Sequence, residues 1–307
     1  MREEEIKSLV GDLSAVGLGK KLKRDHPLGS LTTYRVGGSA ALYYSPESKD
    51  ELSAFIETVA DYELPILLLG NGSNMLVSDR GFEGLVLKLG LEFENISIED
   101  NKVVAGGAAS MPVIARKTVA EGLTGFEWSV GVPGLIGGAV RMNAGGHGSE
   151  MAKSVKSATV LDIFKAKEVI KSSTDLEFGY RTSSIRTSEV ILEVTLQLES
   201  GPPEQGNLFL EEIVRWRREN QPGGQNTGSV FMNPSGDFAG RLIDLSGLKG
   251  LSYRSAKVSE KHANFIQVNS GGSASDVFHL MSKVREIVFE NYGVQLVPET
   301  VLVGFDT

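Results

Sequence analysis

The stretch Gly131-Val132-Pro133-Gly134-Leu135-Ile136-Gly137-Gly138-Ala139-Val140-Arg141-Met142-Asn143-Ala144-Gly145-Gly146-His147-Gly148 decides how this chain is read. Turn glycines usually sit among polar residues, but these alternate with Val, Leu, Ile and Ala. Such a run is expected where backbone lies against a flat or extended ligand, or where two elements pack at close range; alone it leaves both open. Upstream, Pro65-Ile66-Leu67-Leu68-Leu69 reads as a buried strand that runs into Gly70-Asn71-Gly72-Ser73-Asn74 and then into Met75-Leu76-Val77. Small residues after a strand can turn several N–H groups toward a phosphate, and a plain turn is the other reading. Met75 stands where GxGxxG would carry its third glycine, and neither that fingerprint nor GxxxxGK[ST] occurs anywhere, so a Rossmann or P-loop site has no support.

Composition narrows the chemistry. The chain has 36 glycines in 307 residues, about 12% against an average near 7%, so the two glycine segments are where backbone is asked to do something special. There is no cysteine, which excludes disulfides, thiol nucleophiles and iron–sulfur clusters. The four histidines, His26, His147, His262 and His279, show no metal-ligand spacing, and no metal is expected. A net charge of −8 argues against nucleic-acid binding, which rests on a basic surface. The acidic N-terminus and the lack of a long apolar run imply neither a secretory signal nor a membrane span, and hence a cytoplasmic chain.

Periodicity gives the elements. Ile6, Leu9, Val10, Leu13 and Val16 predict a helix over about 3–16, ending near Gly17. Ser48 with Glu51 forms a capping pattern before Leu52, Phe55, Ile56 and Val59. Ser110 and Pro112 open a helix that stops near Gly122. Residues 155 to 163, 166 to 171 and 190 to 198 read as strands, and Gly201-Pro202-Pro203 as a boundary. Beyond it come a charged helix from Leu208 to Glu219, a long helix capped by Ser273 with Asp276, and a last strand from Glu299 to Phe305. The division expected is therefore 1–200 and 201–307, the first part splitting at about 30–90 and 91–200.

LLLGNGSNMLVSD followed by SVGVPGLIGGAVRMNAGGHGSEM resembles the FAD-binding part of the UDP-N-acetylenolpyruvoylglucosamine reductase family, within the vanillyl-alcohol-oxidase-like flavoproteins. GYRTS at 179–183, GSVFMNP at 228–234, AGRLI at 239–243, VSEKHANF at 258–265 and Pro298-Glu299 follow in the family's order. The short span from Arg181 to Ser229 resembles the second type, which lacks a tyrosine-bearing insertion. Arg141, Gly146-His147 and Met232 stand where the family more often has Tyr or Ala, Ala-Tyr and Lys.

The resemblance implies an α+β fold: an FAD-binding domain of the vanillyl-alcohol-oxidase/p-cresol-methylhydroxylase type, made of two α/β subdomains, with a C-terminal α+β substrate-binding domain. It implies non-covalent FAD, NADPH as co-substrate, and reduction of UDP-N-acetylglucosamine enolpyruvate to UDP-N-acetylmuramate in peptidoglycan precursor synthesis, by a monomer. By position it assigns Ser229 as proton donor, with Arg181 and Glu299 beside it. FAD falls to Gly70, Asn71, Gly72, Ser73, Asn74 and Met75, and to Gly131, Val132, Pro133, Gly137, Gly138, Ala139, Asn143, Ala144, Gly145 and Gly148. Arg218, Arg217 and Asn233 fall at substrate positions. An arginine fork suits a carboxylate whose neighbour gains negative charge, and a positioned hydroxyl can protonate a carbon as basic as an enolate. His262 is expected in a structural or peripheral role. An oxidase of the same superfamily would not be expected to share the C-terminal third, and a nucleotide-sugar-binding module without catalysis would not need FAD.

Overall fold

A computed structural model describes residues 3–62 and 64–306 as a mixed α/β chain. Packing divides it into two interleaved units: Met1–Arg24, Leu42–Gly70 and Gly84–Arg215 form one, and Asp25–Ala41, Asn71–Glu83 and Trp216–Thr307 the other. This division departs from the one read at Gly201-Pro202-Pro203, for two physical reasons. Pro203 begins a helix that runs to Asn220, since a first-turn residue needs no N–H, and its Leu210 and Ile213 are buried with Ala115, Val119 and Val130. Conversely, Tyr34, Val36 and Leu76, far upstream, belong to the same core as Val230, Phe231 and Ile266.

The first unit carries a five-stranded antiparallel sheet in the order Lys167–Ser172, Val155–Asp162, Glu189–Gln197, Lys102–Gly106, Ile96–Glu99. Val194 pairs with both Ala158 and Ala105, and alternate residues of these strands bury against Trp128, Ile136 and Val140. A second cluster joins Leu9 and Leu13 of the N-terminal helix Glu3–Ala15 to Leu52, Phe55 and Ile56 of the helix Lys49–Val59. The latter starts as read, with the Ser48 hydroxyl accepting from the Glu51 N–H at 3.2 Å. Ile66–Leu68 pairs in parallel with Leu85–Leu87, so the strand leading to Gly70 is real, though shorter than expected.

In the second unit a three-stranded antiparallel sheet, Ser252–Tyr253, Ala256–Val258 and Ile266–Val268, shares its core with the helix Ala274–Tyr292. That helix is closed at its start by Ser273 and by the Asp79 carboxylate, which accepts from the Ala274 and Ser275 N–H groups at 2.9 Å. Gly293 ends it in the left-handed region at φ +67°. The final strand, Val301–Val303, lies parallel to Met75–Val77. Periodicity missed the edge strands Lys23–Pro27, which is mostly exposed and polar, and Ile96–Glu99, whose alternation spans only four residues. It also missed the short helices Ile136–Arg141 and Ala239–Leu245, each too brief to show a repeat.

Candidate active site

In the first unit the glycine-rich stretch is built by close backbone approach. The Ile136 N–H donates to the Ala109 carbonyl and the Gly137 N–H to the Gly107 carbonyl, at 2.9 and 3.0 Å. A Cβ on Gly137 would stand 2.9 Å from that Gly107 oxygen, so only glycine lets the helix Ile136–Arg141 begin here. Gly138, by contrast, meets nothing within 4 Å and is exposed. Gly70, Gly107, Gly137 and Gly138 line a cleft of about 550 Å³ whose other walls are Leu68, Leu87, Leu135 and Ile191. Its polar side chains are Arg141 and Glu189. Burial would raise the Glu189 carboxyl, but hydrogen bonds from Arg186 and Lys171 outweigh it and hold the group at about 2.

Arg181 sits on a turn that the same stretch supports. Its φ of +58° is left-handed and unusual for a residue with a side chain. The turn is closed by reciprocal bonds between Gly179 and Thr182. Asn143 holds it from below: fully buried, its Nδ2 donates to the Gly179 carbonyl at 2.9 Å, while its Oδ1 accepts from the Ala152 N–H at 3.0 Å. The Arg181 guanidinium reaches the Gly145 carbonyl at 3.4 Å and lies 5.1 Å from the Tyr180 ring centre. Gly145 must lack a side chain, since a Cβ would meet the Ser149 oxygen at 2.7 Å.

The second unit brings Ser229 and Glu299 together across seventy residues of sequence. The Glu299 N–H donates to the Val230 carbonyl at 2.8 Å, and the Met232 N–H to the Val297 carbonyl at 2.9 Å. Asn264, 2% exposed, grips the same segment: its Oδ1 accepts from the Phe231 N–H at 3.0 Å and its Nδ2 donates to the Phe231 carbonyl at 2.8 Å. The Thr227 and Thr300 hydroxyls, both buried, lie 3.2 Å apart on either side of this pairing. Gly228 turns the chain at φ +81° just before Ser229, a conformation that favours glycine.

Ser229 opens onto a cleft of about 920 Å³ with Asn233, Arg241, Asp244, Lys249, Lys261 and His262 along its walls. Arg241 is paired with Asp237 and Lys249 with Asp244, so Lys261, which meets only the Arg218 carbonyl, is the cation this cleft offers an anionic ligand. His262, given a peripheral role from the sequence, faces this cleft. Burial, together with nearby Lys249, lowers its pKa, and its Nδ1 accepts from the Asn264 N–H at 3.2 Å. The ring is therefore neutral and presents its Nε2–H as a donor. Nothing in the spacing of VSEKHANF could have foretold this. The Asn233 Oδ1 caps the helix Ala239–Leu245 by accepting from the Ala239 N–H at 3.1 Å. Arg218 is exposed and Arg217 bonds Gln221; neither lines the cleft, although Lys261, which does, donates to the Arg218 carbonyl.

The loop after Gly70 fits a phosphate-bearing cofactor. The N–H groups of Asn71, Gly72 and Ser73 donate to no described residue, although Gly72 is buried, and buried orphan donors call for an acceptor. Gly72 adopts φ +56°, and a Cβ there would lie 2.7 Å from the Leu31 carbonyl oxygen. The Asn74 side chain donates to the Glu299 carbonyl at 3.0 Å, which ties this loop to the segment just before the final strand. Met75 pairs with Val301 as part of a strand, and Ala139 and Ala144 are buried in the first unit's core.

A glycine-walled cleft, a loop of unpaired N–H groups and a cationic cleft holding a poised hydroxyl are the parts of a flavin-dependent oxidoreductase. Residues 40–166 match the family model described as an FAD binding domain, and residues 220–303 match that of the UDP-N-acetylenolpyruvoylglucosamine reductase C-terminal domain. The chain is 38% identical to the UDP-N-acetylenolpyruvoylglucosamine reductase of Anoxybacillus flavithermus, over 99% of this chain and 98% of that one. It is 39% identical to that of Caldanaerobacter subterraneus subsp. tengcongensis, over 96% and 98%. The crystal structure of the Thermus caldophilus reductase superposes with a TM-score of 0.80 at 34% identity, covering 92% of this chain and 98% of that one. The chain belongs to the UDP-N-acetylenolpyruvoylglucosamine reductase family.

Proposed function

We propose that this chain reduces the enolpyruvyl ether of UDP-N-acetylglucosamine enolpyruvate to UDP-N-acetylmuramate with NADPH, in peptidoglycan precursor synthesis. Non-covalently bound FAD would supply the hydride chemistry that links oxidation of NADPH to reduction of the double bond. The residues that would hold it are Gly70 to Met75 and, in the glycine stretch, Gly131 to Pro133, Gly137 to Ala139, Asn143 to Gly145 and Gly148. Asn143, Ala139 and Ala144 serve as scaffold, since their side chains are engaged or buried.

Adding hydride to the alkene places negative charge next to the substrate carboxylate, where Arg181 provides a charge that cannot be lost and a fork that matches two oxygens. Ser229 protonates the adjacent carbon. Its hydroxyl has no described partner and is half-buried, and it is the backbone bond from Glu299 to Val230 that carries this reading, because it ties the segment bearing the hydroxyl to the one bearing the carboxylate. Glu299 organises that protonation. His262, neutral, adds a donor without moving a proton, while Lys261 receives the anionic nucleotide sugar, with Asn233, Arg218 and Arg217 at the edge of the same binding region. The enzyme acts as a monomer in the cytoplasm; among the described residues no helix is long and apolar enough to cross a membrane.

Anaerobic stopped-flow absorbance tests the assignment. With Ser229→Ala, reduction of the flavin by NADPH proceeds at nearly the wild-type rate, while its reoxidation by the enolpyruvyl nucleotide sugar slows by roughly 10²- to 10⁴-fold, the usual contribution of a general acid. Equal loss in both phases rejects Ser229 as the donor.

A further inference from the structure

Arg141 is a charge without a partner. It closes the helix Ile136–Arg141, and its carbonyl accepts from the Ser183 hydroxyl at 2.6 Å, which fixes where the residue stands. Its side chain lines the first unit's cleft among Leu68, Leu87, Leu135 and Ile185, and is half-buried there. No described carboxylate, carbonyl or hydroxyl accepts from its guanidinium. The cleft's own carboxylate, Glu189, is taken up by Arg186 and Lys171 at 2.9 and 3.1 Å. Desolvation lowers the Arg141 pKa with no opposing charge to offset it, yet a guanidinium does not shed its proton in proteins. A half-desolvated cation held in an apolar cleft is unfavourable unless an anion enters and pairs with it.

We propose that Arg141 binds the diphosphate of FAD, and that the anion of the cofactor, more than its rings, sets affinity in this cleft. The inference rests on the reading that the cleft holds FAD. The chemistry of the cofactor selects the group: flavin and adenine rings are neutral at physiological pH, so the diphosphate is the part that answers an unpaired guanidinium. The planar fork can take two phosphate oxygens at once. Glycine backbone and leucine side chains along the remaining walls suit a flat ring that carries no charge.

The test uses the full-length chain stripped of flavin, as wild type, Arg141→Ala and Arg141→Lys. Quenching of FAD fluorescence gives affinity, and displacement by ADP and by adenosine separates phosphate from base. Arg141→Ala weakens FAD and ADP by about 10- to 100-fold, as loss of a charge-assisted bidentate contact does, and leaves adenosine unchanged. Arg141→Lys, which keeps the charge but not the fork, falls between. The melting temperature of the flavin-free protein does not drop in either variant, since an unpaired half-buried charge is removed or merely exchanged, while the rise on adding FAD shrinks. Unchanged FAD affinity in Arg141→Ala overturns the proposal, as does an equal loss for adenosine, which would put the guanidinium on the base. Wild-type protein that binds ADP through Arg141 but not FAD leaves the anion site standing and sinks the cofactor reading. Binding neither overturns both.

Discussion

Asn264→Ala should cost more than any single substitution among the residues assigned to chemistry. The native side chain, 2% exposed, makes two bonds of 3.0 and 2.8 Å to the N–H and carbonyl of Phe231. Truncation leaves that N–H and that carbonyl without their side-chain partners beside Val230 and Ala263, which are themselves buried. Each unsatisfied buried group costs about 1–3 kcal/mol, so the pair gives about 2–6 kcal/mol, a large share of the roughly 5–15 kcal/mol by which a domain is stable. Differential scanning calorimetry of the flavin-loaded protein should show a fall in melting temperature of about 4–24 °C, at roughly 2–4 °C per kcal/mol for a chain of this order of size. The Phe231 bonds also hold the segment whose Val230 carbonyl receives the Glu299 N–H. Flavin reoxidation by substrate should therefore slow even below the melting transition, whereas reduction by NADPH should change little. Asn264→Asp separates the parts: it keeps an acceptor for the Phe231 N–H and loses the donor to the Phe231 carbonyl, so its loss should lie between wild type and Ala or exceed Ala if the carboxylate is buried charged. A melting temperature within about 2 °C of wild type for Asn264→Ala, with both half-reactions intact, refutes the reasoning, because a shift that small corresponds to at most about 1 kcal/mol.

Two further outcomes follow from other parts of the structure. Gly72→Ala forces a side chain into the left-handed region, at roughly 1–2 kcal/mol, and drives a Cβ to 2.7 Å from the Leu31 carbonyl; FAD retention on gel filtration should fall sharply, and full retention at native stability would remove the loop from the cofactor site. Glu189, lowered from 4.5 to about 2, binds its proton less tightly folded than unfolded, so it stabilises the fold above pH 4.5 and that contribution is lost as pH falls from 4.5 toward 2. Glu189→Gln should destabilise the protein near neutrality and flatten the acid-unfolding curve across that window; an unchanged curve would mean that the ion pairs with Arg186 and Lys171 do not persist in solution.

The helices with sustained periodicity and side-chain caps were legible because their signals are local: Ser48 and Ser273 each bond an N–H three residues on, and Leu52, Phe55, Ile56 and Val59 fall on one face. The sheet strands Val155–Asp162 and Glu189–Gln197 were legible for the same reason, as β-branched runs that alternate. The glycine stretches stood out as places of close backbone approach without deciding between ligand and packing, and the ordered motifs from Gly70 to Glu299 identified the family without coordinates.

Tertiary structure alone decided what depends on contacts distant in sequence. That Tyr34 and Leu76 belong with Val230 in one core, that the Glu299 N–H meets Val230, and that Asn264 grips Phe231 are facts of packing between segments up to about 200 residues apart, and no periodicity encodes them. The same holds for charge. The sequence states that His262 and Arg141 are present, but whether an imidazole is neutral or a guanidinium lacks an acceptor depends on which groups the fold has carried into its surroundings.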